Sequence, residues 1–144
     1  MATVVVGVDG SENAQAALEW ALGEARRRGA LLRVVHAWDP PNPAAIIGYV
    51  PIPEEPLYET AREGAQRVLD ESVAGLDGAE VAVEPLLIEG PTVGVLAAAA
   101  CDADMLVVGS CGRAALTHVL GGATGSRLAR EAPCPLTIVP HPAW

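Results

Sequence analysis

Apolar and polar positions change period repeatedly along this chain. Thr3-Val4-Val5-Val6-Gly7-Val8 is one nearly continuous apolar run, and Met105-Leu106-Val107-Val108-Gly109 is another. Runs of this length read as strands covered on both faces, hence as strands of a parallel sheet. From Asn13 to Arg28 the spacing turns helical, with Ala14, Ala17, Leu18, Ala21, Leu22 and Ala25 on one side and Gly29 as the stop. Leu31 to Trp38 reads as a second strand. A second helix is predicted from about Pro56 to Leu76, with Pro56 near its start. Val81 to Ile88 reads as strand three, Pro91 to about Cys101 as a short helix, and 105–109 as strand four. A last helix is predicted over 123–131. Strand five runs from Pro135 to Val139, bracketed by Pro133, Pro135 and Pro140. Strands alternating with helices predict βαβ units with right-handed crossovers, an α/β fold. Residues 1–144 show no internal repeat or linker and read as one domain. The Pro-rich segment 39–55, containing Ile46-Ile47-Gly48-Tyr49-Val50, is too long for a routine connection; its apolar content favours a packed cover, with a mobile loop as the alternative.

Composition narrows the function. Of 144 residues 51% are hydrophobic, yet Phe is absent and there are only three Trp and two Tyr, so the core must be aliphatic. The formal charge of −9 argues against electrostatic binding to nucleic acid or an anionic membrane. No apolar run approaches the ~18 residues of a membrane span. Ala2-Thr3-Val4 leads directly into a strand without a basic leader, and the three cysteines lack CxxC spacing. A cytoplasmic location is therefore expected. All nine basic residues are arginine. Without lysine there is no Walker A loop, no kinase-type strand lysine and no Schiff-base chemistry.

The candidate chemistry lies at two strand ends. The first strand stops at Asp9-Gly10-Ser11. The fourth stops at Gly109-Ser110-Cys111-Gly112, and Gly122-Ala123-Thr124-Gly125-Ser126 follows after nine intervening residues. In an open parallel sheet, ligands bind beyond the carboxyl ends of the strands. A carboxylate there can accept from base or ribose donors, and glycines let backbone N–H groups reach phosphate oxygens. Each residue also has a plainer role. Asp9 or Ser11 can cap the following helix. Gly109, Gly112 and Gly122 can serve turns or close packing. Arg113 can donate to phosphate or be solvated, while Arg127 reads as a surface helix residue. Cys111 has His118 seven residues on but no third group to orient a nucleophile pair. Cys101 and Cys134 read as small buried hydrophobes, and His36 as a packed core histidine. No His/Cys/Asp group has metal-ligand spacing. Glu54, Glu55, Glu59 and Glu63 suit the start of the second helix, and Arg26-Arg27-Arg28 the end of the first.

Together these residues resemble the universal stress protein family, in its ATP-binding branch. The likeness runs through Val5-Val6-Gly7-Val8-Asp9-Gly10-Ser11, Ala17-Leu18-Glu19-Trp20-Ala21, Val34-Val35-His36-Ala37-Trp38 and Ala132-Pro133-Cys134-Pro135-Leu136-Thr137-Ile138-Val139. Its most specific element is G-x2-G-x9-G, here Gly109, Gly112 and Gly122. The resemblance implies a Rossmann-like open parallel sheet of the adenine nucleotide alpha hydrolase kind. Five strands run in the order 3-2-1-4-5, with helices on both faces. That order makes strands one and four neighbours at the topological switch point. It implies an ATP site with Asp9 as ligand, the Ala37 backbone against adenine and Val8 beside it. Gly109, Gly112, Arg113, Gly122, Ala123 and Thr124 fall on the phosphate side. Any Mg2+ would be carried mainly by the phosphates and water. The resemblance also implies a homodimer paired through residues 134–140.

One departure matters. The family motif continues after its third glycine with a hydroxyl residue and usually another two positions on; here those positions are Ala123 and Gly125. Thr124 and Ser126 are each shifted by one residue, which on a helix turns a side chain by about 100°. The helix N-terminus itself remains as an anion site. Nucleotide binding is therefore expected to survive, each lost neutral hydrogen bond costing on the order of 1 kcal/mol. The expected function is an ATP-binding stress-response regulator with little or no turnover. No GxSxG or HExxH motif is present, and no base is placed for attack on a γ-phosphate. The alternatives are a dimeric scaffold whose nucleotide site has decayed, and a slow ATPase.

Overall fold

The computed structural model describes residues 2–40, 54–77, 80–110 and 123–140. The strands are β1 (Thr3–Gly7), β2 (Leu31–Trp38), β3 (Val83–Glu89), β4 (Met105–Gly109) and β5 (Leu136–Val139). The helices among these residues are α1 (Glu12–Arg28), α2 (Glu54–Ala74), α3 (Thr92–Ala99) and α4 (Ala123–Glu131). The strands form one sheet in the order β3-β2-β1-β4-β5, every neighbouring pair parallel. β1 is central, with Val6 opposite Val34 on one side and Val107 on the other.

The period-two alternation of β1 sorts the core into two layers. Val4, Val6 and Val8 pack with Leu18, Leu32, Val34, Leu69 and Val107 beneath α1 and α2. Val5 faces the opposite way, into Val35, Leu96, Leu106, Val108 and Leu128 beneath α3 and α4. Val4, Val5 and Val6 are completely buried; each contributes roughly 1.5–3 kcal/mol relative to an exposed position. Helices therefore cover both faces, and β1 is the apolar spine that the sequence pattern indicates.

Element bounds depart slightly from expectation, with physical reasons. α2 begins at Glu54, so Pro56 lies inside its first turn, where a missing backbone N–H costs nothing because that turn has no intrahelical acceptor. β3 is offset to 83–89, yet Ala82 already accepts from the Leu32 N–H at 2.9 Å. α1 ends as expected on Gly29, at φ 61°, whose N–H returns to the carbonyls of Ala25 and Arg26. The expected cover formed by segment 39–55 falls mainly outside the described residues.

The cysteine expectation is corrected. Cys101 is exposed because it lies one residue past Ala100, where α3 has already stopped. Cys134 is only half-buried, packed against the layer beneath α3 and α4. Burial pushes its thiol pKa up, with the nearby Asp104 charge acting in the same direction.

At the amino ends of the strands, Arg33 of β2 closes a polar clamp. Its guanidinium donates to Glu84 of β3 at 2.7 Å, to the Ala99 carbonyl at 2.9 Å and to Asp102 at 3.0 Å. At the carboxyl ends the arrangement is tighter. A Cβ on Gly109 would lie 2.9 Å from Cγ and Oδ1 of Asn13 and 3.1 Å from the Asn13 carbonyl oxygen. The missing side chain thus lets the first turn of α1 rest directly on the end of β4. Gly109→Val should destabilise the fold by about 1–3 kcal/mol through overpacking. Gly94→Ala is the control, because its Cβ would meet only Pro91 Cγ at 3.8 Å inside α3. Thermal denaturation should show a lower Tm for the first variant and an unchanged or higher Tm for the second. Equal Tm values would mean that Gly109 is not required for this packing.

Candidate functional site

Because all five strands are parallel, their carboxyl ends share one rim. β1 connects onward to β2 and β4 to β5, on opposite sides of the sheet centre. The chain therefore diverges between β1 and β4, the place where open α/β sheets bind ligands. α1 and α4 both begin at this rim, since each returns antiparallel to the strand before it. Their first-turn N–H groups lack intrahelical acceptors and carry partial positive charge.

Asp9 lies at the mouth of this crevice, half-buried. Its Oδ1 accepts from the Ser11 N–H at 2.9 Å, a side-chain turn that fixes the carboxylate. Ser11, not Asp9, is the helix cap: its Oγ accepts from the Ala14 N–H at 3.1 Å. Gly10 between them has φ 83°, which turns the chain sharply out of the strand. A carboxylate offers about four lone-pair sites, so the turn bond is compatible with a ligand donor at the same group.

Ala37 is placed by β2. The Val35 carbonyl accepts from the Val8 N–H at 2.9 Å on the β1 side. By strand alternation the backbone polar groups of Ala37 point the same way, past the end of β1 at Gly7. The Ala37 methyl packs into the α3/α4 layer, so this position can offer a ligand only its backbone. The Val8 side chain is also committed to packing: it is 5% exposed within the α1/α2 layer. Instead of lining the crevice with its side chain, Val8 presents its carbonyl, which hydrogen-bonds His36 Nδ1 at 2.8 Å. His36 is half-buried rather than a core histidine, and its ring ties the ends of β1 and β2 together.

On the β4 side, Gly109 packs against α1 as described above. Gly112, Arg113 and Gly122 lie outside the described residues. Ala123 and Thr124 begin α4 at the rim. Gly125 is buried, and a Cβ there would meet Ile138 Cδ1 at 3.1 Å. The absent hydroxyl at this position thus has a local reason: Ile138 of β5 fills the space beside it. Arg127 is exposed and faces Glu131 at 3.7 Å, as a surface residue should. Among the described residues no group of three or more His, Cys, Asp or Glu could hold a metal ion. Among the same residues no helix is long and apolar enough to cross a membrane.

Two rim residues escape a motif-based reading. Asn13 is 1% exposed on the buried stripe of α1. Its Nδ2 donates to the Val139 carbonyl at 3.2 Å, and its Oδ1 accepts from Ser110 Oγ at 3.2 Å. The available signal was a polar residue at helical spacing before Ala17 and Ala21. Ser110 was hidden as a variable position of the glycine motif, between Gly109 and Cys111.

Comparison with known proteins agrees with this geometry. The universal stress protein family matches residues 1–140. A universal stress protein of Mycobacterium tuberculosis is 33% identical over 141 residues, covering 96% of this chain and 48% of its own length. This chain spans about half the length of several curated relatives it matches. A crystal structure of a family protein from Burkholderia pseudomallei is 30% identical, with a TM-score of 0.72, and covers 97% of this chain and 96% of its own. Another, a universal stress protein in complex with cAMP, is 26% identical with a TM-score of 0.60, covering 96% and 95%. A family match from the first strand through the last, on a 3-2-1-4-5 sheet, means that this chain belongs to the universal stress protein family.

Proposed function

We propose that this chain binds an adenine nucleotide in the crevice between β1 and β4, with ATP as the physiological ligand and little or no turnover. The observation that carries the reading is the shared rim: Asp9, the Ala37 backbone and the starts of α1 and α4 all meet the carboxyl ends of adjacent strands. The base would lie against the Ala37 backbone, the ribose near Asp9, and the phosphates toward the G-x2-G-x9-G segment and the start of α4. A related protein solved with cAMP supports the nucleotide class. Asp9 offers an acceptor for ribose hydroxyls or for a metal-bound water. Any Mg2+ would be held chiefly by the phosphates, where it would offset their charge. The expected setting is cytoplasmic stress response, without nucleic acid or membrane as partner.

A second reading, a scaffold that has lost its nucleotide, is favoured by one observation. Ile138 packs beside Gly125, where the motif usually provides a hydroxyl. Slow ATP hydrolysis remains a third reading; turnover lost on Asp9→Ala would favour it.

Isothermal titration with ATP, ADP, AMP and cAMP tests the first reading. Wild type should bind at least one of them, and Gly112→Val should abolish binding with an unchanged Tm, because a branched Cβ blocks backbone approach to phosphate. Retained affinity in Gly112→Val would make that glycine a turn residue only.

The hydroxyl departure is tested by Ala123→Ser. Restoring one donor should tighten ATP by about fivefold, the effect of a ~1 kcal/mol hydrogen bond, while leaving adenosine unchanged. Equal changes for both ligands would contradict the placement of phosphates at α4. Gly125→Ser is the less clean restoration, since a Cβ there meets Ile138 Cδ1 at 3.1 Å and that methyl must give by a few tenths of an ångström.

We further propose assembly through residues 134–140, which the position of β5 in the sheet supports. β5 is an edge strand, and Ile138, 44% exposed, is the exposed large hydrophobic among the described residues. An open apolar edge invites pairing with another chain, and Pro133, Pro135 and Pro140 limit its extent. We expect a two-fold homodimer in sedimentation. Thr137→Lys should weaken it by about tenfold, since like charges meet across the axis. A wild-type monomer at micromolar concentration would refute the edge-paired dimer.

A further inference from the structure

The crevice has a support outside the family motif. Asn13 (α1), Ser110 (after β4) and Val139 (the last residue of β5) close a ring of hydrogen bonds. Ser110 N–H donates to the Val139 carbonyl at 2.8 Å. Asn13 Nδ2 donates to that same carbonyl at 3.2 Å, and Ser110 Oγ donates to Asn13 Oδ1 at 3.2 Å. Resting on the nucleotide reading above, we propose that Asn13 is a positioning residue for the phosphate side of the site. It fixes Ser110, and with it the start of the glycine-bearing segment, relative to Asp9.

Three observations carry this. First, Asn13 is a buried amide on a stripe otherwise formed by Ala14, Ala17, Leu18, Ala21, Leu22 and Ala25. An apolar residue would pack there without the risk of an unsatisfied polar group, which costs about 1–3 kcal/mol. The amide is matched on both its donor and its acceptor side, so it links elements as well as filling space. Second, the linkage has little slack. The Asn13 Cγ and Oδ1 stand 2.9 Å, and its carbonyl oxygen 3.1 Å, from where a Cβ on Gly109 would lie, so no side chain fits between them. A shift of α1 therefore moves the end of β4. Third, the same turn of α1 holds the ribose side. Asp9 accepts from Ser11, and Ser11 accepts from Ala14, the residue after Asn13. Asp9 and Ser110 are thus referenced to one rigid turn. Two ligand-facing segments, 101 positions apart in the chain, keep a fixed spacing.

The test pairs Asn13→Leu with Ser110→Ala in the full chain, using AMP and adenosine as probes. Amide exchange by NMR should rise about tenfold at Ser110 in Asn13→Leu, while the core amide of Val107 is unchanged. AMP affinity should fall at least about fivefold, and adenosine affinity less than about twofold. Adding Ser110→Ala to Asn13→Leu should cause little further loss, because both act on one linkage. Unchanged exchange at Ser110 overturns the proposal, as does an equal rise at Ser110 and Val107. Equal losses for AMP and adenosine also overturn it, since a merely structural role loosens the whole site. If Asn13→Leu does not fold, Ser110→Ala alone decides: it should weaken AMP over adenosine, and equal affinities contradict the proposal. A wild type that binds no adenine nucleotide overturns the nucleotide reading and leaves the exchange measurement to decide whether Asn13 positions Ser110.

Discussion

The seating of α1 on the end of β4 governs the rest of this molecule. Gly109 has no side chain, so the Asn13 backbone and amide can sit 2.9–3.1 Å from where its Cβ would lie. Nothing bulkier at 109 would permit it without displacement. This contact is made where β1 and β4 diverge toward opposite edges of the sheet. It brings the turn after β1 and the segment after β4 to one rim. The core supplies the rigidity behind it: β1 is buried on both faces and flanked by strands on both sides. The glycine therefore has a structural duty at the position where the family motif implies a ligand contact.

Charge makes the local character of such a site important. A chain with formal charge −9 repels an anionic ligand at long range. At physiological salt that repulsion is screened beyond about 8 Å. Binding a nucleotide then depends on short-range donors aimed at the phosphates: helix N-termini, glycine N–H groups and arginine. Under the proposed reading it also depends on keeping Asp9 directed at the ribose rather than the phosphates. The Ser11 N–H helps by holding one carboxylate oxygen in the turn. Packing takes the side chains of Val8, Ala37 and Gly125's neighbour Ile138, which leaves recognition mostly to backbone groups.

Much of the fold was legible in the sequence because its signals are local and strong. Val4 to Val6 and Leu106 to Val108 are unbroken apolar strands, and Gly29 and Ser11 mark the ends of α1. The strand order came from the family resemblance, and the parallel pairing reproduces it. What stayed hidden depends on contacts across the chain. Gly109 also has a packing duty that the sequence does not show, because Asn13 comes to lie beside it only in the fold. Cys101 and Cys134 looked buried by residue type, yet a helix that stops at Ala99 leaves Cys101 outside. His36 looked like core because its neighbours are apolar; its actual bond to the Val8 carbonyl requires knowing where β1 ends. The glycine at 125 has a packing neighbour, Ile138, that its place in the motif does not reveal.

We propose above that an adenine nucleotide occupies the rim between β1 and β4. Backbone amide chemical-shift mapping on addition of ATP tests it most directly. The account predicts shifts concentrated at Val8 to Asn13, at Ala37 and Trp38, at Gly109 and Ser110, and at Ala123 to Ser126, with the amino-end clamp around Arg33, Glu84 and Asp102 unmoved. Shifts centred on that clamp or along β5, or none at saturating ATP, would contradict it.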